Sequence, residues 1–201
     1  MTSSKADKAL KGVSDIFLGQ IASRIFTFLF LIIFVRLLSP EELATLPLYY
    51  AVSGAATLLF SMGIPVTFIR EVPRLRVAEP DKMHSLLFTG FVVVMAGIVM
   101  SAFLANLLKE PIQALLFSDL GGLIDLRLFV VAMVVGGWKT LMTFVLKSLQ
   151  MYRGMAIFTA SNDLLYRALG LAGFFIAGIN GLLAGFLLGT FITNVYCTWR
   201  V

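Results

Sequence analysis

Six long apolar runs dominate the sequence and limit what the chain can fold into. They lie near residues 14–38, 45–66, 85–108, 127–148, 155–178 and 181–199. Each is long enough to cross a membrane, which takes about 20 mostly apolar residues in a helix. Charged residues make up 13% of the chain, against about 25% in soluble domains. The sequence therefore predicts an all-α integral membrane protein, a bundle of six transmembrane helices.

A short polar segment precedes the first run. We expect residues 1–13 to form a cytoplasmic N-terminal tail and residues 14–201 to form one six-helix transmembrane domain. The first apolar run is longer than the apolar region of about 7–15 residues in a signal peptide, and no small-residue cleavage site follows it. It is predicted to be a retained helix.

The distribution of lysine and arginine predicts the orientation. Basic residues concentrate in the short cytoplasmic loops of membrane proteins. With the N-terminus inside, ten of the 16 basic residues fall in cytoplasmic segments, and three fall outside, namely Arg36, Lys109 and Arg127. We expect a multi-pass protein of the cytoplasmic membrane with both termini in the cytoplasm.

Prolines and glycines mark breaks and close contacts. Pro73 and Pro80 lie between the second and third runs, where a missing N–H costs little, and predict a loop. Residues 111–126 predict a short interfacial helix outside the membrane. Gly136-Gly137 permits a kink or close packing, and a stripe at four-residue spacing favours close approach of helix backbones. That stripe consists of Gly181, Gly185 and Gly189.

No group of residues predicts catalysis. His84 lies at the predicted start of the third span, where a solvated loop residue is expected, and Cys197 has no second thiol to pair with. Glycine-rich phosphate loops, metal-ligand clusters and nucleophile elbows are missing from the sequence. We expect neither an enzyme nor a bound metal or cofactor, although a coupling ion of unknown identity fits a transporter.

Four charged residues inside the predicted spans carry the functional prediction. Arg24, Lys139, Asp163 and Arg167 lie about 12–18 Å from the cytoplasmic ends of three helices. Charges at this depth are costly in lipid and usually face the bundle interior or a wet cavity. Their shared depth predicts one polar cavity with a net positive charge. An anionic substrate suits it, and Arg24, Lys139 and Arg167 are its candidate binding residues.

Structural interpretations of the same residues stay open. Asp163 and Arg167 are four residues apart, so they share a helix face and can form an ion pair that lets the fifth helix insert. Arg24 and Lys139 can extend their side chains toward the membrane interface.

Two segments near the N-terminus carry a family resemblance. Residues 36–44 read Arg-Leu-Leu-Ser-Pro-Glu-Glu-Leu-Ala, and residues 63–73 read Gly-Ile-Pro-Val-Thr-Phe-Ile-Arg-Glu-Val-Pro. With Ser23-Arg24 in the first span, they resemble the polysaccharide-biosynthesis flippases, which move lipid-linked oligosaccharides across membranes. The family loop reads Arg-x-Leu-Gly-Pro-Glu-x-Phe-Gly. Here Ser39 stands for its first glycine, Leu43 for its phenylalanine and Ala44 for its second glycine.

The resemblance implies a machine larger than six helices. Members have twelve to fourteen helices in two lobes, and a cationic cavity between the lobes holds the diphosphate of a polyprenyl-linked sugar. This chain would be the N-terminal lobe, and Arg24 would contact phosphate. Its partners would be membrane lipid, a polyprenyl-diphosphate-linked glycan and a second six-helix lobe, but no nucleic acid. We expect that second lobe to be a C-terminal half beyond residue 201, or else a second copy of the chain.

Two other functions remain open. A multidrug exporter of the same superfamily typically depends on acidic intramembrane residues, and Asp163 is the acid found in mid-span here. A membrane scaffold that transports nothing would use the charges only to pair with each other.

Overall fold

The computed structural model describes residues 3–44, 46–47, 50–51, 54, 64–107, 110–111 and 126–200, and it is built from α-helices. Those helices are α1 (Ser3–Leu37), α2 (Ile64–Ala78), α3 (Pro80–Leu107), α4 (Leu126–Ser148) and α5 (Tyr152–Arg200), with further helical residues within 40–54. The all-α prediction is confirmed for these residues. The predicted second span, 45–66, and the predicted interfacial helix, 111–126, lie mostly outside the described residues, so six spans remain a prediction.

The first helix is longer than its apolar run. It begins at Ser3, so residues 3–13, predicted as a tail, continue the helix. Beyond its end, Ser39 starts a new helical segment. Its hydroxyl accepts from the Glu42 N–H at 3.3 Å, and its own N–H donates to the Glu42 carboxylate at 2.9 Å. This reciprocal pair is a capping box, with Pro40 at the first helical position.

The predicted loop around Pro73 is wrong, because α2 runs through this residue. A proline inside a helix removes a backbone hydrogen bond and costs about 3 kcal/mol. Phe68 and Val72 of α2 are fully buried in one apolar cluster with residues of α3 and α4. Burial of each such side chain contributes about 1.5–3 kcal/mol, which offsets that cost. The boundary at Pro80 is confirmed, since Pro80 is the first residue of α3.

The last helix is a hairpin of two antiparallel arms. Its backbone leaves helical geometry at Ala177 and Gly178, where Gly178 has a φ of 62°. Glycine reaches this left-handed region without steric cost. The turn lies two residues before the position that the apolar runs predicted, 179–180.

The glycine stripe joins the two arms of this hairpin. A Cβ atom on Gly181 would overlap the backbone of Gly173, and one on Gly185 would overlap the backbone of Leu169. A Cβ on Gly189 would lie 2.7 Å from the Leu165 carbonyl. The backbones of the two arms are therefore in direct contact, as small residues permit in membrane helices.

The fourth helix lies at the centre of the described bundle. It packs against α2, α3 and α5, whereas α1 packs against α5. It runs through Gly136 and Gly137 as a continuous helix. Gly137 lies so close to Ile98 of α3 that a Cβ would overlap the isoleucine side chain. Close packing, rather than a kink, accounts for this glycine.

The outer surface of the bundle is apolar. Within the described residues, four stretches are long and apolar enough to cross a membrane, and the 48-residue stretch Tyr152–Trp199 contains both hairpin arms. Phe28, Phe103 and Phe175 are each more than 60% exposed. Lipid can solvate such a surface, whereas soluble proteins rarely expose large apolar patches. The chain is a multi-pass membrane protein.

The hairpin contact predicts unequal effects for two glycine substitutions. Gly189→Ala is expected to lower the thermal midpoint of the detergent-solubilised protein, because the new Cβ would lie 2.7 Å from the Leu165 carbonyl and the Tyr166 Cα. Overpacking of this kind costs about 1–3 kcal/mol. The measurement is the fraction of monodisperse protein that survives heating.

Gly136→Ala is the matched control, since a Cβ there has no atom within 4 Å. It should retain or raise the midpoint, because alanine stabilises a helix by about 0.5–1 kcal/mol relative to glycine. Equal midpoints for the two variants would contradict the backbone contact between the arms.

Candidate functional site

A polar ladder joins α1 to the first arm of α5. Ser23 donates its hydroxyl hydrogen to the Asp163 carboxylate, and Arg167 donates to the Thr27 hydroxyl at 2.7 Å. Ser23 and Thr27 are one helical turn apart on α1, as are Asp163 and Arg167 on α5. Equal spacing brings the two pairs face to face. Four polar side chains thus meet at the contact between the two helices.

The two charged members of the ladder form an ion pair. Arg167 Nη1 lies 3.8 Å from Asp163 Oδ1 and donates to the Asp163 backbone carbonyl at 3.1 Å. The side chains are 15% and 18% exposed. Buried charges require such partners, because desolvation penalises a lone ion strongly. The pair is neutral overall, and the Arg167 side chain also lines a cavity.

That cavity, the Arg167 cavity, has a volume of about 360 Å³. Its wall is mostly apolar, and its charged group is the Arg167 guanidinium. The lining residues are Thr27, Leu31, Phe34, Leu43, Leu46, Pro47, Tyr50, Tyr166, Arg167 and Phe186. It lies between α1, the helical residues within 40–54, and the hairpin.

A second cavity of about 260 Å³, the Lys139 cavity, lies between α4 and the hairpin. It contains one cation, Lys139, and one anion, Asp163, and is lined by Tyr50, Ala132, Val135, Gly136, Lys139, Asp163, Tyr166, Phe186, Leu187 and Thr190. Asp163 lines the Lys139 cavity and also forms an ion pair with Arg167, which lines the other cavity. Its carboxylate therefore connects the two cavities electrostatically.

The structure places Arg24 apart from the other two candidate cations. Its exposed side chain lies in a groove whose described lining residues, such as Gln20 and Phe28, belong to α1. Adjacent helical residues point about 100° apart, so Arg24 lies to one side of the face that carries Ser23. Lys139 and Arg167 occupy neighbouring cavities, whereas Arg24 occupies a separate surface of the bundle.

The site also contains aromatic residues that the sequence interpretation missed. Tyr166 stacks face to face on Phe186, with centroids 4.0 Å apart and planes 7° apart. The hydroxyls of Tyr50 and Tyr166 are hydrogen-bonded. The Arg167 guanidinium lies 5.9 Å from the Tyr166 ring centroid, within cation–π range. Nothing in the spacing of these aromatics distinguishes them from other apolar residues.

Thr27 was missed although the sequence contains a signal for it. Ser23 and Thr27 are hydroxyl residues four apart in an apolar run. The Thr27 hydroxyl donates to the Ser23 carbonyl at 2.8 Å, as hydroxyl side chains in helices commonly do. Pairing this i, i+4 motif with Asp163 and Arg167 would have predicted the contact between the first and fifth spans.

A family model described as polysaccharide biosynthesis protein matches residues 9–201. The chain belongs to this family of polysaccharide biosynthesis proteins. The match confirms the resemblance that residues 36–44 and 63–73 carry. No curated protein and no solved structure matches the chain. As a polysaccharide biosynthesis protein, it places a half-buried arginine and a half-buried lysine on two cavities within its membrane bundle.

The ion pair of this polysaccharide biosynthesis protein predicts that substitutions of Asp163 and Arg167 have non-additive effects on stability. Asp163→Ala leaves Arg167 in the bundle without its carboxylate, and breaking a buried pair costs about 3–5 kcal/mol. The double variant Asp163→Ala/Arg167→Leu removes both charges and is expected to be more stable than the single variant. Thermal midpoints in detergent measure the difference.

The exposed pair between Glu79 and Lys82, at 2.5 Å, is the control. Exposed pairs contribute at most about 1 kcal/mol, so Glu79→Ala should change the midpoint little. If Asp163→Ala and the double variant had the same midpoint, an Arg167 without its carboxylate would carry no destabilising cost.

Proposed function

We propose that the chain is one lobe of a flippase that moves an anionic lipid-linked oligosaccharide or polysaccharide precursor across the cytoplasmic membrane. The observation that carries this proposal is the placement of Arg167 and Lys139 on neighbouring cavities inside a lipid-solvated bundle. Membership in the polysaccharide biosynthesis family supplies the class of cargo.

The charges favour an anionic cargo. Arg167 and Lys139 carry two positive charges and Asp163 one negative charge, so the described cluster has a net positive charge. A guanidinium binds phosphate oxygens through two parallel hydrogen bonds, and such charge-assisted bonds are strong where water is excluded. A diphosphate that links a glycan to a polyprenyl chain carries the charge that complements these cations, and its apolar chain stays in lipid.

The position of Arg24 favours a second lobe. Arg24 lies on the exposed face of α1, beside Gln20 and within an otherwise apolar groove. A charge in a membrane helix usually faces protein or a wet cavity. We therefore place this face toward a second six-helix lobe, with the cargo path between the lobes. Alternating access would then rock the lobes, with both termini of this chain in the cytoplasm.

One observation supports a second candidate, a cation-coupled multidrug exporter. Asp163 is a carboxylate within the bundle and accepts a hydrogen bond from Ser23. Intramembrane acids often bind protons or cations in exporters. In that case Asp163 would be the essential residue, whereas in a flippase the cations are essential. In a non-transporting scaffold, neither Asp163 nor the cations would be essential for transport.

Substitution of single cations tests the flippase proposal. Lys139→Gln and Arg24→Gln are each expected to reduce surface polysaccharide at least about tenfold in the native host. Loss of one hydrogen bond to a charged group costs about 1.5–3 kcal/mol, which corresponds to tenfold or more in binding. The measurement is surface polysaccharide per cell at matched protein levels in the membrane.

Lys147→Gln is the matched control, because Lys147 lies on the same helix as Lys139, two turns nearer its end, and outside both cavities. It should export normally. Normal export by both Lys139→Gln and Arg24→Gln would refute the cationic path. Loss of drug resistance in Asp163→Asn, with normal polysaccharide, would favour the exporter.

A further inference from the structure

The Arg167 cavity and the Lys139 cavity meet at a shared wall of three aromatic residues. Tyr50, Tyr166 and Phe186 line both cavities. The two cavities therefore adjoin at these rings. No other residue lines both cavities among those that the structure describes.

One half of this wall is rigid. Phe186 is 3% exposed and belongs to the core cluster that also holds Phe34. The two rings meet edge to face with centroids 5.9 Å apart. On its other side, a Cβ added to Gly170 would overlap the Phe186 ring. Phe186 therefore has no room to change rotamer while the hairpin is intact.

The other half consists of two tyrosines. Tyr166 is held against Phe186 by ring stacking, and Tyr50 is held by its hydroxyl contact with Tyr166 and by looser ring contacts. Tyr50 is 41% exposed. Its centroids lie 6.4 Å from those of both Tyr166 and Phe186. The hydroxyl contact between Tyr50 and Tyr166 therefore links Tyr50 to the stacked pair.

We propose that Tyr50, Tyr166 and Phe186 form an aromatic barrier inside the lobe, which separates the Arg167 cavity from the Lys139 cavity. Displacement of Tyr50 and Tyr166 from the fixed Phe186 ring joins the cavities into one passage that has a cation at each end. The barrier is a property of the lobe's own cavities, so it does not depend on the identity of the cargo.

Cysteine labelling from one face of the membrane tests the barrier. In a Cys197→Ala background, single cysteines are introduced as Leu43→Cys in the Arg167 cavity and Gly136→Cys in the Lys139 cavity. A Cβ at Gly136 has no atom within 4 Å, so the new side chain fits. Right-side-out and inside-out vesicles are treated with a charged, membrane-impermeant methanethiosulfonate, and the face that labels Leu43→Cys is used throughout.

The barrier predicts that Gly136→Cys reacts at least tenfold more slowly than Leu43→Cys from that face. Adding Tyr166→Ala should raise the Gly136→Cys rate at least tenfold. Adding Tyr50→Phe, which keeps the ring and removes the hydroxyl, should raise it by a smaller factor. Tyr152→Ala, a tyrosine of the same hairpin outside both cavities, should leave it unchanged.

Two results would overturn the proposal. The first is equal labelling of Leu43→Cys and Gly136→Cys with all three aromatic residues in place, a comparison that needs no barrier variant to fold. The second is an unchanged Gly136→Cys rate in a monodisperse Tyr166→Ala protein. Neither result bears on polysaccharide export, so failure of the barrier is distinguishable from failure of the flippase function.

Discussion

Two buried charges determine how the first helix joins the rest of the bundle. Asp163 and Arg167 are mostly buried, and α1 supplies hydroxyl partners for both through Ser23 and Thr27. A shift of α1 by one residue would move it about 1.5 Å along its axis and would turn both hydroxyls away from their partners. The polar ladder therefore fixes the register of α1 as well as its position, and it sets the walls of the cavity beside it.

With the register of α1 fixed, apolar contacts follow along its length. Phe34 lies two turns beyond Thr27 on a similar face, and it meets Phe186 of the hairpin. Phe186 in turn supports Tyr166, whose neighbour Arg167 faces the cavity. The ion pair, the aromatic packing and the candidate binding group are thus in continuous contact. A substitution at Ser23 or Thr27 would therefore change the geometry of the cavity.

Local sequence patterns predicted much of this fold and less of the site. The apolar runs located α1, α3, α4 and both arms of α5, and the i, i+4 spacing anticipated the contact between Asp163 and Arg167. Height along a helix follows from residue number, so the shared depth of the four charges was readable. The direction in which a side chain points relative to neighbouring helices cannot be predicted in this way. Arg24 therefore lies on a different surface from Lys139 and Arg167. The stack of Tyr166 on Phe186 joins two hairpin arms and needs their packing. Pro73 did not mark a loop, because the burial of Phe68 and Val72 offsets the cost of a proline inside a helix.

The glycine contacts between the arms of α5 have a mechanical consequence. Backbones that touch at Gly173, Gly181 and Gly185 cannot slide past each other without collision, so the hairpin behaves as a single stiff rod. The distances between Asp163, Arg167 and Thr190, which lie on the two arms, are therefore set by this contact.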